Sequence, residues 1–319
     1  MVVLTPKQSV LKFAFMAAYS LCVPALLCAQ DLAPRAYTIT PLRANALTVT
    51  YGFYDGSLEF NGVVPIKDAK GKYNVPVLSY YHSFKMFGHF ANVTASLPYA
   101  VGHFEGDFRN DPNRIYRSGL LDSTYRLAVN LKGGPPMLPA DFHKWHQKTL
   151  IGVSLKMIAP TGQYDQTKLV NWSANRWAFK PELGYSERWG KVVLDAYAGV
   201  WLYTANPNYF DHNNFVPGSQ AQSQKPIGAF EGHLSYDWKT RTWVSLDGNF
   251  WFGGITSLNG IANLETRQTG SRIGATGSLR LDKHQSIKVS YSNGTYIRFG
   301  GDYQNISFAW QWSWIGKPN

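Results

Sequence analysis

The sequence predicts an all-β protein, a transmembrane up-and-down antiparallel β-barrel of about 12 strands. Three observations carry that expectation. Large apolar residues recur at every second position in segment after segment, which is the period of a strand rather than of a helix. The links between these segments alternate short and long, as they do when hairpin turns mark one rim of a barrel and loops the other. The chain is also rich in rings and poor in charge: of 319 residues, 15% are aromatic and 16% charged, where soluble domains carry about 25% charged residues. Its mean hydropathy of -0.24 is not that of a helical membrane protein. Alternating strands reconcile these facts, because half of each strand is free to be polar.

The N-terminus has a separate logic. Lys7 and Lys12 precede an uncharged apolar run, "FAFMAAYSLCVPALLCAQ", that ends in small residues at Cys28 and Ala29. This is the pattern of a secretory signal peptide cut near Ala29 or Gln30. Pro24 and the shortness of the run count against a membrane-anchoring helix, and Leu27 is a poor residue before a lipidated Cys28. Residues 1–29 are therefore assigned to the signal peptide and 30–44 to a periplasmic N-terminal segment. The outer-membrane barrel takes 45–314, and a C-terminal tail takes 315–319. Cys22 and Cys28 leave with the signal, so no disulfide or Cys-ligated metal is expected, and no cofactor. The net charge of +11 falls to about +9 with the loss of two lysines. Behind a signal peptide, this basic balance fits lipopolysaccharide phosphates or an anionic solute better than nucleic acid.

Each strand shows its lipid face in turn. "ALTVTYGFY" aligns Leu47, Val49, Tyr51 and Phe53; "VLSYYHSFKMF" aligns Leu78, Tyr80, Phe84 and Met86; "ANVTASLPYAV" aligns Val93, Leu97, Tyr99 and Val101. "LLDSTYRLAVNL" offers Leu121, Tyr125, Leu127 and Val129; "LIGVSLKMIA" offers Ile151, Val153, Leu155 and Met157; "WAFKPELGY" offers Trp177, Phe179, Leu183 and Tyr185. The second half continues with "VLDAYAGVWLY", "AFEGHLSYDW", "WVSLDGNFWF", "RIGATGSLRL" and "SIKVSYS". The last strand, "NISFAWQWSW", sets Ile306, Phe308, Trp310, Trp312 and Trp314 on one face. Pro76 and Pro181 interrupt two of these runs, although proline removes a ladder donor and a closed barrel has no free edge.

The short links lie near Gly88, Gly190, Lys239 and Lys283. Between them come long, Gly/Asn/Asp/Pro-rich links such as "PTGQYDQTKLVNWSANR". One link on the short side is long: "KGGPPMLPADFHKWHQK", where a small helix or turn is expected. His143 and His146 within it are turn residues rather than metal ligands, since nothing nearby completes a site.

If the apolar face meets lipid, the other face lines the lumen. It carries Asp122, Arg126, Asn130, Lys156, Lys180, Glu182, Asp195, Glu231, His233, Asp247, Arg280 and Lys288, together with Tyr197, Trp201 and Tyr203. Two uses compete. The mixed charges form a structural lattice of ion pairs, or they and the rings form a polar path on which an aromatic solute stacks while Arg126, Lys156 and Lys180 meet its carboxylate. The substrate-path candidates are Asp122, Arg126, Lys156, Lys180, Glu182, Asp195, Tyr197, Glu231, His233 and Asp247. A lipid hydrolase is a weaker alternative. "GHLSYD" sets His233 and Ser235 two apart on one strand, and nucleophilic catalysis needs a base within reach of the hydroxyl. The pair, however, shares the lumen face with Glu231 rather than the lipid face where an acyl chain would lie.

Several stretches identify a wider likeness. "APTGQYD", "NRWAFKPELGY", "SLPYAVG", "GLLDSTYRLAVNL", "DAYAGVWLYTAN" and "YSNGTYIRFGGDYQNISFAWQWSW" resemble the outer-membrane transporter family named for the meta-pathway of phenol degradation. The resemblance covers roughly Leu42 to Trp314. It implies an antiparallel barrel and uptake of aromatic or other small hydrophobic compounds, and it supplies no binding residues. The expected activity is passive passage of a small solute, without chemistry or energy coupling. A structural or surface-interaction barrel is the alternative. Asn305–Trp314 is also expected to be the segment that barrel-insertion machinery grips.

Overall fold

Exposed and buried side chains alternate along the long strands of the computed structural model, as in Lys180–Ser186 and Ala229–Ser235, where every second residue is buried and those between are exposed. The structure describes residues 32–59, 66–108, 111–211, 218–239 and 241–317; the signal-peptide assignment lies outside them. The strands are β1 (Ala44–Glu59), β2 (Ile66–Met86), β3 (His89–Phe108), β4 (Asp111–Leu120), β5 (Ser123–Lys132), β6 (Thr149–Ala159), β7 (Ala178–Trp189) and β8 (Val192–Tyr203). They continue with β9 (Gln222–Gln224), β10 (Ile227–Lys239), β11 (Thr242–Gly253), β12 (Thr256–Leu258), β13 (Ile261–Asn263), β14 (Gln268–Arg280), β15 (Gln285–Ile297) and β16 (Gly300–Ile315).

Each long strand pairs antiparallel with its neighbour in sequence. The sheet closes because β1 pairs with both β2 and β16, from Ala44 opposite Ile315 to Glu59 opposite Gly300. β4 and β5 act as one barrel strand, since both pair with β3, and the break falls at Leu121 and Asp122. The barrel thus has 12 antiparallel strands, as the alternation predicted. β9, β12 and β13 form a separate small sheet from the long loops. β2 and β3, at 21 and 20 residues, outrun a membrane, which a tilted strand crosses in about 9–11 residues. The short turns include Phe87–Gly88, both at positive φ (49° and 85°), the signature of a tight hairpin. The long link on this rim carries a one-turn helix, α1 (Pro139–Phe142), with proline in its first turn.

The outward face is a belt of bare apolar side chains. Leu246 is 68% exposed and Phe308 49%, with Val49, Leu183, Phe230 and Trp312 beside them. Facing water, such a belt would be an aggregation surface; facing lipid it is what a membrane barrel requires.

Both interrupting prolines are accommodated in the same way. Pro181 stays in register with Leu155 of β6, but the β7–β8 ladder lapses at Lys180 and Pro181. Pro76 stays opposite Tyr51 of β1, while the β2–β3 ladder lapses at Val75 and Pro76. In each case the lapse faces one neighbour only, and the other ladder holds the strand in the wall.

Candidate functional site

The lumen divides along its axis and also across it. At the short-turn end, the chain before β1 folds into the mouth of the barrel. The segment expected to be periplasmic, Leu32–Arg43 as far as it is described, lies mainly against β5–β10, with Leu32 beside Gly274 of β14, Arg35 reaching β11 and Thr40 and Arg43 reaching β2. The Arg35 N–H donates to Asp195 Oδ2 at 3.2 Å and the Ala36 N–H to the Tyr197 hydroxyl at 3.1 Å. The Arg35 guanidinium pairs with Asp237 at 2.6 Å and covers the Trp243 ring. Thr40 Oγ1 lies 2.8 Å from the Tyr81 hydroxyl, and the Arg43 N–H donates to the Ser83 carbonyl at 3.0 Å.

Tyr37 is the anchor. Its ring sits on Gly152 of β6 and Gly184 of β7, which face each other across the ladder. A Cβ at Gly152 would fall 2.6 Å from the ring, and one at Gly184 would overlap it. The paired glycines are therefore a slot cut in the wall for one aromatic ring. The Tyr37 hydroxyl donates to Glu182 Oε1 at 3.0 Å and lies 3.0 Å from Ser154 Oγ. The Arg126 guanidinium covers the outer side of the ring at 4.7 Å.

Above Tyr37 runs a belt of paired charges. Lys180 Nζ is 2.7 Å from Glu182 and 3.0 Å from Glu231. His233 Nδ1 is 2.9 Å from Asp247 Oδ1, and Nε2 faces Glu231 at 3.6 Å. Ser245 and Thr276 also donate to Asp247. Most of the path candidates thus satisfy one another: Lys180, Glu182, Glu231, His233 and Asp247 are buried in a shared network. Arg126, Asp195 and Tyr197 hold the N-terminal segment. Lys156 lies over the Trp201 ring at 5.7 Å. Asp122 departs from its expected place. It stands at the break between β4 and β5 and accepts the N–H groups of Gly162 and Ala174 at 3.0 Å each. It ties the β6–β7 loop to the wall rather than lining a path.

Toward the long-loop end, packed rings dominate, with the buried guanidinium groups of Arg176 and Arg272 over Tyr203 and Tyr303. Tyr73, Phe104 and loop residue Trp172 pack together, with Tyr54 stacked on Tyr73 at 4.8 Å. On the opposite side, Trp201 and Trp251 are buried with Ala178 and Ile227. The sequence placed Trp201 on the lumen side, but the inward fold of Trp172 had no periodic signal.

The wall of β14, β15, β16, β1 and β2 is different. Its inward positions are small and polar: Ser278, Ser286, Ser290, Ser307, Gln311, Thr48 and Ser79, all partly exposed although enclosed by the barrel. Outside the wall, at the β7–β8 lapse, a depression of about 480 Å³ is lined by Val153, Pro181, Leu183, Val200, Phe230 and Phe252, with Ser154 and Glu182 at its floor. The same Ser154 and Glu182 hold Tyr37 from within, so the wall is thin there.

Comparison with known proteins places the chain. Residues 51–314 match the family described as "Putative MetA-pathway of phenol degradation". The chain belongs to this family. Among solved structures, it is similar to an outer membrane channel from Pseudomonas putida F1, with TM-score 0.71 and 15% identity over 89% of this chain and 100% of that one. It is also similar to the transport unit of the autotransporter AIDA-I from Escherichia coli, with TM-score 0.50 and 10% identity over 99% and 100% of the two chains. These likenesses are of fold. No protein of curated function matches by sequence. The fold and family make this an outer-membrane β-barrel.

Proposed function

We propose that the barrel passes small aromatic or apolar solutes across the outer membrane by passive diffusion. The observation that carries this is the aromatic packing of the outer half of the barrel interior. There Tyr54, Tyr73, Phe104, Trp172, Trp201 and Trp251 turn inward and, Tyr54 apart, are buried in two clusters that a solute would have to part. Aromatic surroundings suit an aromatic ligand, whereas a pore for sugars would carry water-exposed polar groups there. The half-exposed Ser/Thr wall argues against a purely structural barrel, since it leaves space inside. Hydrolysis is disfavoured, because among the described residues Ser235 Oγ is buried without a hydrogen-bond partner, and the His233 nitrogen left free by Asp247, Nε2, faces Glu231 rather than that hydroxyl.

The exit has two candidate geometries. One follows the Ser/Thr wall past the N-terminal segment. The depression outside Pro181 favours the other, a sideways exit into the membrane where the ladder has lapsed. Uptake of radiolabelled toluene or phenol by cells with and without the protein tests the function. Trp201→Ala and Trp172→Ala are expected to change uptake of these solutes without changing that of a sugar of similar size. Equal toluene and phenol uptake with and without the protein would refute the proposal. Pro181→Val, which restores the donor toward β8, is expected to slow uptake only if the exit is sideways.

A further inference from the structure

We infer that Lys288 is an anion-binding residue of the lumen, at which the open polar wall holds a small monoanion of the carboxylate or halide class. Lys288 sits on β15, where the even positions Ser286, Lys288 and Ser290 face inward and Val289 and Tyr291 stand exposed to lipid. Its register neighbours are Ser278 on β14 and Ala309 on β16. Thr276, Ser290, Ser307 and Gln311 surround that row on the same face. None of these positions is acidic.

Other inward cations have protein partners: Arg272 donates to Ser292 and the Tyr303 carbonyl, and Arg280, near the β14–β15 turn, to the carbonyls of Asp282 and Lys283. Arg35 and Arg188 pair with Asp237, Lys180 with Glu182 and Glu231, and Arg126 with Glu182 and the Ala36 carbonyl. Lys156 lies over Trp201. Among the described residues, Lys288 makes no ion pair and no hydrogen bond. The one carboxylate acting on it is Asp247, one strand beyond β14. That carboxylate already accepts from His233, Ser245 and Thr276. Lys288 is nonetheless surrounded by protein and still solvent-accessible, so it borders an enclosed, accessible space.

An ammonium in such a space needs a counter-charge. With no carboxylate paired to it, a mobile anion supplies it. Thr276 donates to Asp247 and Ser278 to the Ile287 carbonyl, so the hydroxyl proton left for an anion is the one that the hydrogen-bonded Ser290–Ser307 pair does not use between them. Sequence reasoning placed Lys288 on the lumen face but could not separate it from its paired neighbours; isolation among serines is a property of the register.

Binding of the anion stands on the local geometry alone, whereas its passage rests on the channel function proposed above. Two measurements on the purified full chain separate them. In planar bilayers under a tenfold KCl gradient, the wild type is expected to prefer chloride, and Lys288→Glu to reverse that preference. Lys283→Glu, on the exposed β14–β15 turn, is the control for surface charge and is expected to leave it unchanged. In detergent, the excess 35Cl NMR line broadening caused by the wild type is expected to fall at least severalfold in Lys288→Gln and to persist in Lys288→Arg. Each variant is checked for heat-modifiable gel migration, and the glutamine variant decides if the glutamate one does not fold. Unchanged broadening in Lys288→Gln, or unchanged selectivity in a conducting Lys288→Glu, overturns the inference. A wild type that carries no current but loses its broadening in Lys288→Gln would support the anion site and count against the channel.

Discussion

Tyr37→Ala tests the docking of the N-terminal segment most directly. The substitution removes a ring that is 4% exposed in its Gly152/Gly184 slot, a hydrogen bond to Glu182, and the face that Arg126 covers. Burying an aromatic side chain is worth about 1.5–3 kcal/mol, and a hydrogen bond to a charged group about 1.5–3 kcal/mol. Together they come to about 3–6 kcal/mol, before any loss at Arg126. At about 1.4 kcal/mol per power of ten, the undocked population should rise by roughly two to four powers of ten. Trypsin reads this change, because Arg35 and Arg43 flank the ring and become cleavable when the segment leaves the mouth. The expected outcome is cleavage of folded, heat-modifiable Tyr37→Ala protein at least about a hundredfold faster than wild type, with a larger single-channel conductance. Tyr37→Phe keeps the ring and loses only the hydroxyl, so its effect should be smaller. Gly184→Val attacks the same contact from the wall and should act like the alanine variant. Equal cleavage and conductance in wild type, Tyr37→Ala and Gly184→Val would refute the slot as the determinant of docking.

Three further outcomes follow from the same geometry. Lys180→Met leaves Glu182 and Glu231 facing each other without their shared cation, which should cost about 3–5 kcal/mol and lower the temperature of the heat-modifiable gel shift; adding Glu231→Gln should restore part of it. The Asp165 carboxyl in the β6–β7 loop is held down to about 2 by Lys168 and Thr167. Because its folded value is depressed, its contribution is present above the unfolded carboxylate value and is lost as pH falls through about 2. Hydrogen exchange around Thr167 and Lys168 should therefore be steady from neutral pH down to about pH 4, beyond its intrinsic pH dependence, and should lose protection below that. Asp165→Asn should remove the acid-induced step. In β16, Trp312 is exposed to lipid and Gln311 faces the lumen, so Trp312→Asp should depress membrane yield far more than Gln311→Ala. Equal yields would contradict the facing.

The wall of the barrel was legible because a period of two leaves no freedom: shifting any strand by one residue would turn its whole lipid face inward. The inner charges were legible for the same reason, and so was the adjacency of Lys180 and Glu182 on one strand. Their third partner, Glu231, was not, because it lies on another strand, and only the register of β7, β8 and β10 brings the two together. Asp122 misled because "LLDSTYRL" keeps its alternation through the break, so the chain reads as one strand where the ladder has two. The docked segment was illegible from its own residues, since "LAPRAYTITPLR" has no periodicity. Its address is written in two glycines on other strands, and a glycine in a strand pattern reads as a bulge or a close approach without saying to what.

The inward charges explain why the lumen is asymmetric. A segment entering the mouth brings unpaired backbone N–H groups and Arg35, and these need acceptors. Asp195, Tyr197, Glu182 and Asp237 all lie on β7, β8 and β10, so the segment docks there. The opposite wall of serines and threonines carries no carboxylate to compete for it, and for that reason stays open. A carboxylate introduced on that wall, as in Ser290→Asp, should create a second place for Arg35 and a partner for Lys288 at once. Tryptic cleavage at Arg35 should then fall, because a second acceptor inside the barrel lowers the undocked population, and the chloride preference should fall too. If cleavage is unaffected while selectivity changes, the segment is held by its slot and backbone contacts, and the acceptors on β7–β10 set only its orientation.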